Sequence, residues 1–272
     1  MREIDGPAGA PTLLLVHGWL ASGGLNWFRA FADLSRHFRV IAPDLRGHGR
    51  GIRSRRRFRL TDCADDLAAL CEEVGAGPVI AVGYSMGGPV TQLLWRRHPH
   101  LVEGLVQCAT FDRVAFGSRS RIVFGTMMVA AVGTSQVAGG VARVPVVGAQ
   151  LLGPKRPYRP APNLQRWATA EMRRHDWTTI AEAGVALSRF SSRRWVGEID
   201  VPTAVIVTTA DGAVHPDRQR GLAARIPGAS IHEVPLGHTA CASAFFTPSL
   251  VAASLEVAQR VGHRVPSILR VS

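Results

Sequence analysis

Residues 79–82 (VIAV) form a continuous apolar run that passes directly into Gly83-Tyr84-Ser85-Met86-Gly87-Gly88. Apolar residues at helical spacing follow, Val90, Leu93 and Leu94, until Pro99 stops the pattern. An unbroken apolar run suits a strand buried on both faces of a parallel sheet. A serine in G-x-S-x-G between such a strand and a helix sits at the tip of a sharp turn, with its hydroxyl presented outward. The chain crowds itself there, so glycines are needed at the closest approaches. The helix that follows aims its first N–H groups at the same point and favours negative charge. The bare motif is a weak signal, and the plain alternative is an ordinary glycine-rich turn. Its position between strand and helix is what gives it weight.

The same alternation runs through both ends of the chain. Residues 12–16 (TLLLV) are an apolar run ending in His17-Gly18, and residues 26–38 carry Trp27, Phe31, Leu34 and Phe38 at helical spacing. Residues 40–42 form a short strand before Pro43-Asp44. Thr61 is placed to cap a helix with a buried stripe of Cys63, Leu67, Leu70, Cys71 and Val74, ended by Gly75 and Gly77. Residues 101–108 are the next strand. The rhythm returns with strands at 204–207 and 231–234, a helix at 216–224 that opens on proline, and a closing amphipathic helix at 249–261. Repeated strand–helix units predict an α/β fold with a doubly wound, mostly parallel sheet and a nucleophile elbow at Ser85.

Between the two halves, the rhythm breaks. The intervening segment holds Pro145, Pro154, Pro157, Pro160 and Pro162, then a helical stretch at 164–190 with Trp167, Met172 and Trp177. An insertion of this size after the strand at 101–108 is expected to be a helical cap or lid over residues 111–197, with residues 1–110 and 198–272 forming the core.

Composition excludes several classes. With 46% hydrophobic and 19% charged residues in a 272-residue chain, there is material for a large core, and a disordered chain is excluded. Four cysteines are too few for a disulfide-dense scaffold, and Cys63, Cys71, Cys108 and Cys241 show no CxxC spacing. No metal or organic cofactor is expected. The net charge is 32 − 20 = +12, and Lys155 is the single lysine among the cations. Such an excess fits either attraction to an anion or the arginine bias of a G+C-rich genome. The first residues lack a signal-peptide pattern, so the expected location is cytoplasmic. Residues 122–142 carry no charge, but their glycines and hydroxyl residues favour a buried or interfacial helical pair over a membrane span. The same stretch could also wall a pocket for apolar acyl chains.

A serine hydroxyl is a poor nucleophile without a base, and in this architecture the acid and the histidine follow the serine. His238, in a Gly-His turn after the strand at 231–234, fits the base. His17 is expected to shape its own loop. His48, His98, His100 and His175, near arginines or helix ends, are expected to be solvated. Asp211 closes the strand at 204–207 through Thr208-Thr209-Ala210 and fits the acid, which would hold the imidazole tautomer. Asp112, just past the strand at 101–108, is its rival. The oxyanion donors are expected to be the backbone N–H of Met86 and that of Trp19 in the loop after the first apolar run.

These landmarks (LLLVHGW, VIAPDLRGHGRG, VIAVGYSMGG, VPTAVIVTTADGAVHP and HEVPLGHTAC) resemble the α/β-hydrolase superfamily, and within it the capped serine esterase, lipase and non-heme haloperoxidase-like branch. The resemblance covers residues 11–110 and 200–262. It implies Ser85, Asp211 and His238 as a triad, with Trp19 and Met86 as oxyanion donors. A serine at position 85 departs from haloalkane dehalogenases and epoxide hydrolases, which usually place aspartate there. Two further departures stand out. Only eleven residues precede the first apolar run, so the sheet edge is reduced or the start is truncated. The acid motif reads TTADGAVHP rather than G-x-x-D, which keeps Asp112 in play.

The implied activity is serine-dependent hydrolysis of a small-molecule carboxylic ester with an apolar acyl group, through an acyl-enzyme. The alternatives are a perhydrolase, C–C hydrolase or acyltransferase on the same site, or a ligand- or membrane-binding protein without turnover. Arg46, Arg50, Arg53, Arg55, Arg56, Arg57 and Arg59 form a cluster that is either a contact for an anionic surface or a solvated loop paired with Asp62, Asp65 and Asp66. No specific contact with nucleic acid is expected.

Overall fold

The computed structural model describes residues 1–114 and 164–265. Seven strands, β1 (Arg2–Ile4), β2 (Thr12–Val16), β3 (Arg39–Ala42), β4 (Val79–Tyr84), β5 (Val102–Cys108), β6 (Thr203–Thr208) and β7 (Ser230–Val234), form one sheet in the order β1-β3-β2-β4-β5-β6-β7. Every pairing is parallel except β1 with β3. The edge before the first apolar run is therefore a single three-residue antiparallel strand.

The described helices are α1 (Gly23–Trp27), α2 (Phe31–Leu34), α3 (Leu60–Glu73), α4 (Gly87–Arg97), α5 (Leu164–Met172), α6 (Trp177–Arg189), α7 (Pro216–Ala223) and α8 (Phe246–Val261). Strand alternation sorts the core into two layers. Leu14, Val16, Ile41, Val79, Ala81 and Leu105 pack with the buried stripes of α3 and α4. Leu13, Leu15, Val40, Ile80, Val82 and Val106 face the other way, against Trp27, Phe38 and the inner face of α8. Both faces of the sheet are thus covered, which is why its strands read as unbroken apolar runs.

Several boundaries differ from the sequence expectation. The segment at 26–38 splits into α1 and α2, because Ser22 caps α1 from upstream, accepting from the Leu25 N–H at 3.2 Å. Thr61 lies inside α3, whose N-cap position is Arg59; buried Leu60 begins the helix instead. The stretch at 164–190 is two helices. Asp176 breaks it, taking the Thr178 and Thr179 N–H groups on its side chain while its own N–H donates to Gly47 O at 2.8 Å. The segment at 122–142 lies outside the described residues.

Close packing between β4 and the start of α4 leaves no room for side chains at Gly83, Gly87 and Gly88. A Cβ on Gly87 would fall 2.2 Å from Val16 O, a backbone atom that cannot swing aside. Gly212 has nothing within 4 Å of the same position. Gly87→Ala is expected to cost about 3 kcal/mol or more, or to prevent soluble expression. Gly212→Ala should stay within about 0.5 kcal/mol. Urea unfolding midpoints of the two variants check both statements.

Candidate active site

Strands β2, β4, β6 and β7 point their carboxyl ends at one place, where open α/β sheets hold their ligands. Ser85 follows β4 and adopts a left-handed backbone, φ 51°. That conformation is costly for a residue with a Cβ, and it persists only where the surroundings impose it. Here the Ser85 N–H donates to Cys108 O at 2.9 Å, and the Thr110 hydroxyl donates to Ser85 O at 2.7 Å. The turn is held at the Ser85 N–H by the end of β5 and at the Ser85 carbonyl by Thr110 just beyond it, with Met86 at the N-cap position of α4.

The Ser85 hydroxyl lies 2.9 Å from His238 Nε2, and His238 Nδ1 lies 2.8 Å from Asp211 Oδ2. With the Nδ1 proton donated to the carboxylate, Nε2 is left to accept from the serine. His238 is partly exposed, whereas the Asp211 carboxylate is shut off from solvent. The Tyr84 hydroxyl donates to His238 O at 2.8 Å and so holds the histidine turn to the strand that carries the serine.

Asp211 is fixed by more than the histidine. Its Oδ1 accepts from the Ala213 and Val214 N–H groups, both at 2.8 Å, and its Oδ2 accepts from the Thr208 hydroxyl at 2.7 Å. Gln219, on α7, reaches the same oxygen at 3.4 Å and also bonds Thr208. Burial pushes the Asp211 carboxyl up, but the bonds from His238, Val214 and Thr208 outweigh it and leave the group below the ordinary carboxylate value. Asp112 is placed elsewhere. Its Oδ2 lies 3.3 Å from Arg193 Nε and 3.5 Å from Arg225 Nε. Thr208 and Gln219 escaped the sequence reading. The Thr-Thr before Asp211 was a faint cue, but Gln219 becomes visible only once α7 folds back.

The loop after β2 lies against the serine. A Cβ on Gly18 would come 3.3 Å from Ser85 Cβ, and the Gly18 N–H donates to Asn26 Oδ1 at 3.0 Å. Leu20 is left-handed, φ 63°, and the Trp19 indole N–H donates to Ile180 O of α6 at 2.8 Å. Gly18, one residue before Trp19, therefore lies beside Ser85, and Met86 follows the serine directly in the chain.

His48 and His175 are not solvated, contrary to the sequence expectation. Both are buried, with His17 beside them. The rings of His17 and His48 lie 5.1 Å apart, and those of His48 and His175 5.6 Å. His17 accepts the Leu45 N–H on Nε2 at 2.9 Å and contacts Gly18 O through Nδ1 at 2.8 Å, so it shapes its loop as expected. His175 accepts the Gly49 N–H at 2.8 Å, linking the α5–α6 turn to the loop after β3. Local sequence around His48 and His175 is rich in arginine, and their burial depends on packing between segments far apart in the chain. His98 and His100 lie at the end of α4, His98 half-buried against Asp65 and His100 exposed.

The strand order and the helices on both faces of the sheet are those of the α/β-hydrolase fold. The family model for that fold matches residues 11–132. A magnesium-chelatase 30 kDa subunit of Rhodobacter capsulatus is 42% identical over 86 residues, 31% of this chain and 30% of that protein. A bifunctional esterase/perhydrolase of Acinetobacter calcoaceticus is 35% identical over 96 residues, 35% of this chain and 34% of its own length. These matches span about a third of the relatives concerned. A thermophilic esterase from Thermogutta terrifontis superposes with a TM-score of 0.70 at 25% identity, over 96% of this chain and 94% of that one. Among the described residues no helix is long and apolar enough to cross a membrane, and no cluster of metal-binding side chains occurs.

Burial lowers the His17 pKa from 6.5 to about 4 and pulls those of His48 and His175 down as well. A histidine held neutral in the fold contributes its full stability above pH 6.5. Between pH 6.5 and about 4 the unfolded chain binds the proton and the folded one does not, so stability falls as pH falls. His17 alone should remove about 3 kcal/mol across that window. Urea unfolding at stepped pH is expected to show this slope, and His17→Gln should make it shallower, with His48 and His175 supplying the remainder.

Proposed function

We propose that the protein is a serine hydrolase that cleaves carboxylic esters through an acyl-enzyme. The observation that carries this reading is the hydrogen-bonded series from Ser85 Oγ through His238 to Asp211, at 2.9 and 2.8 Å, on a strained left-handed turn. As Ser85 Oγ attacks the ester carbonyl, His238 Nε2 takes the hydroxyl proton. Asp211 stabilises the imidazolium that forms and keeps Nδ1 as the protonated nitrogen. The Trp19 and Met86 N–H groups receive the charge on the carbonyl oxygen. His238 then passes its proton to the departing alcohol, and water activated by the same nitrogen releases the acid and frees Ser85. This chemistry needs no metal or organic cofactor.

The insertion at 111–197 is the cap in this reading, and α6 already touches the Trp19 indole. The apolar residues at 122–142 are proposed to favour an apolar acyl group. The Acinetobacter relative supports one variant of the reaction, in which hydrogen peroxide replaces water as the acyl acceptor.

A fluorophosphonate probe should label the protein, and Ser85→Ala should abolish labelling. Asp211→Asn should slow ester turnover by about 10³- to 10⁴-fold, while Asp112→Asn stays within a few-fold of the parent. Loss of rate with Asp112→Asn and not with Asp211→Asn would reverse the assignment of the acid. A well-folded protein that neither labels nor turns over esters would point to a binding role. On p-nitrophenyl esters, kcat/KM is expected to rise with acyl length before falling; a flat series would remove the apolar acyl pocket from the proposal.

A further inference from the structure

The seven arginines from Arg46 to Arg59 divide into two sets. Arg46 turns inward to Asp66, at 2.8 and 2.7 Å, and to Asp62 at 3.1 Å. Arg50 forms a two-pronged pair with Glu171, both contacts at 2.9 Å, and Arg53 donates to the carbonyls of Gly49 and Arg174. Asp65 is occupied by Arg97 and His98. Arg55, Arg56, Arg57 and Arg59 are exposed and pair with no carboxylate among the described residues. Four uncompensated guanidinium groups within five residues repel one another until an anionic surface neutralises them.

Apolar side chains stand beside them. The loop carrying these arginines runs along the start of α6. Gly47 O accepts from the Asp176 N–H at 2.8 Å, the Gly47 N–H donates to Ile52 O at 2.9 Å, and the Phe58 N–H donates to the Glu182 carboxylate at 2.8 Å. Ile52, Trp177, Met172 and Leu20 are 54%, 49%, 39% and 38% exposed along this edge. Leu20 O contacts His175 Nε2 at 3.2 Å, so the edge ends at the loop that carries Trp19.

We propose that this edge docks the protein on the surface of an anionic lipid bilayer. Guanidinium groups neutralise headgroups while tryptophan and aliphatic side chains enter the boundary with the acyl chains. A purely polyanionic partner, an acidic protein or a nucleic acid, would satisfy the charges and leave Ile52 and Trp177 in water. Docking stands apart from the hydrolase reading. What rests on that reading is the consequence that an ester dissolved in the bilayer arrives beside the loop of Trp19.

The test is sedimentation of the full chain with vesicles of phosphatidylcholine alone and of phosphatidylcholine mixed with phosphatidylserine. Binding is expected to the mixed vesicles only, and to weaken as salt rises. Each basic residue near such a surface is worth about a fivefold gain in partitioning, so replacing Arg55, Arg56, Arg57 and Arg59 together by glutamine should cost about a hundredfold or more. That variant should keep its circular dichroism and its rate on a water-soluble short-chain ester. Ile52→Ser with Trp177→Ser should weaken vesicle binding while heparin retention is unchanged. No binding to mixed vesicles at low salt overturns the proposal, as does undiminished binding by the glutamine variant. Vesicle binding indifferent to Ile52→Ser and Trp177→Ser also overturns it, in favour of a charge-only surface for a soluble polyanion. Absent esterase activity with intact vesicle binding would instead remove the hydrolase reading and leave docking standing.

Discussion

Everything at the carboxyl end of the sheet depends on one crowded turn. Ser85 can hold a left-handed backbone only because Cys108 at the end of β5 and Thr110 just beyond it bond its N–H and its carbonyl, and because α4 starts two residues later. That grip requires β4 and α4 to approach more closely than side chains permit. A Cβ on Gly83 would meet Gly87 O at 2.6 Å, and one on Gly88 would meet the Thr110 hydroxyl at 2.1 Å. The missing side chains let the first turn of α4 rest on the end of β2. They thereby set where the loop of Gly18 and Trp19 lies relative to the serine.

The parts of this arrangement that were legible in the sequence are local. Strand β4 and the glycines around Ser85 are contiguous, and the sheet strands are apolar on both faces because helices cover both faces. Asp211 and His238 each follow a strand, so chain order alone suggested them. The choice between Asp211 and Asp112 was not local. Both follow strands, and only tertiary packing turns one towards His238 and the other towards Arg193 and Arg225. Helix boundaries shifted for a similar reason, since Ser22 and Asp176 act as caps where the apolar spacing alone gave no sign of a break.

Burial of polar groups was the least legible property. His48, His175 and Glu171 are hydrophilic residues in arginine-rich surroundings, yet each is buried. His175 and Glu171 are tolerated because each finds partners from a distant segment, whereas the His48 ring bonds the nearby Arg46 carbonyl at 3.0 Å. Gly49 serves His175, and Arg2 and Arg50 serve Glu171. A buried carboxylate or imidazole without such partners would cost several kcal/mol, so these groups are satisfied only when the distant segments are correctly placed.

That dependence bears on how such a protein could be re-engineered. The turn between α5 and α6 is fastened to the loop after β3 by the Gly49–His175 bond, the Gly47–Asp176 bond and the Arg50–Glu171 pair. Residues over a hundred positions apart thus behave as a single module. Replacing α5 and α6 with helices of different sequence would strand Gly49 and Arg50 unless residues 44–53 were changed with them. The unit of exchange is therefore split across two separate stretches of the chain, and a designer who moved α5 and α6 alone would take half of it.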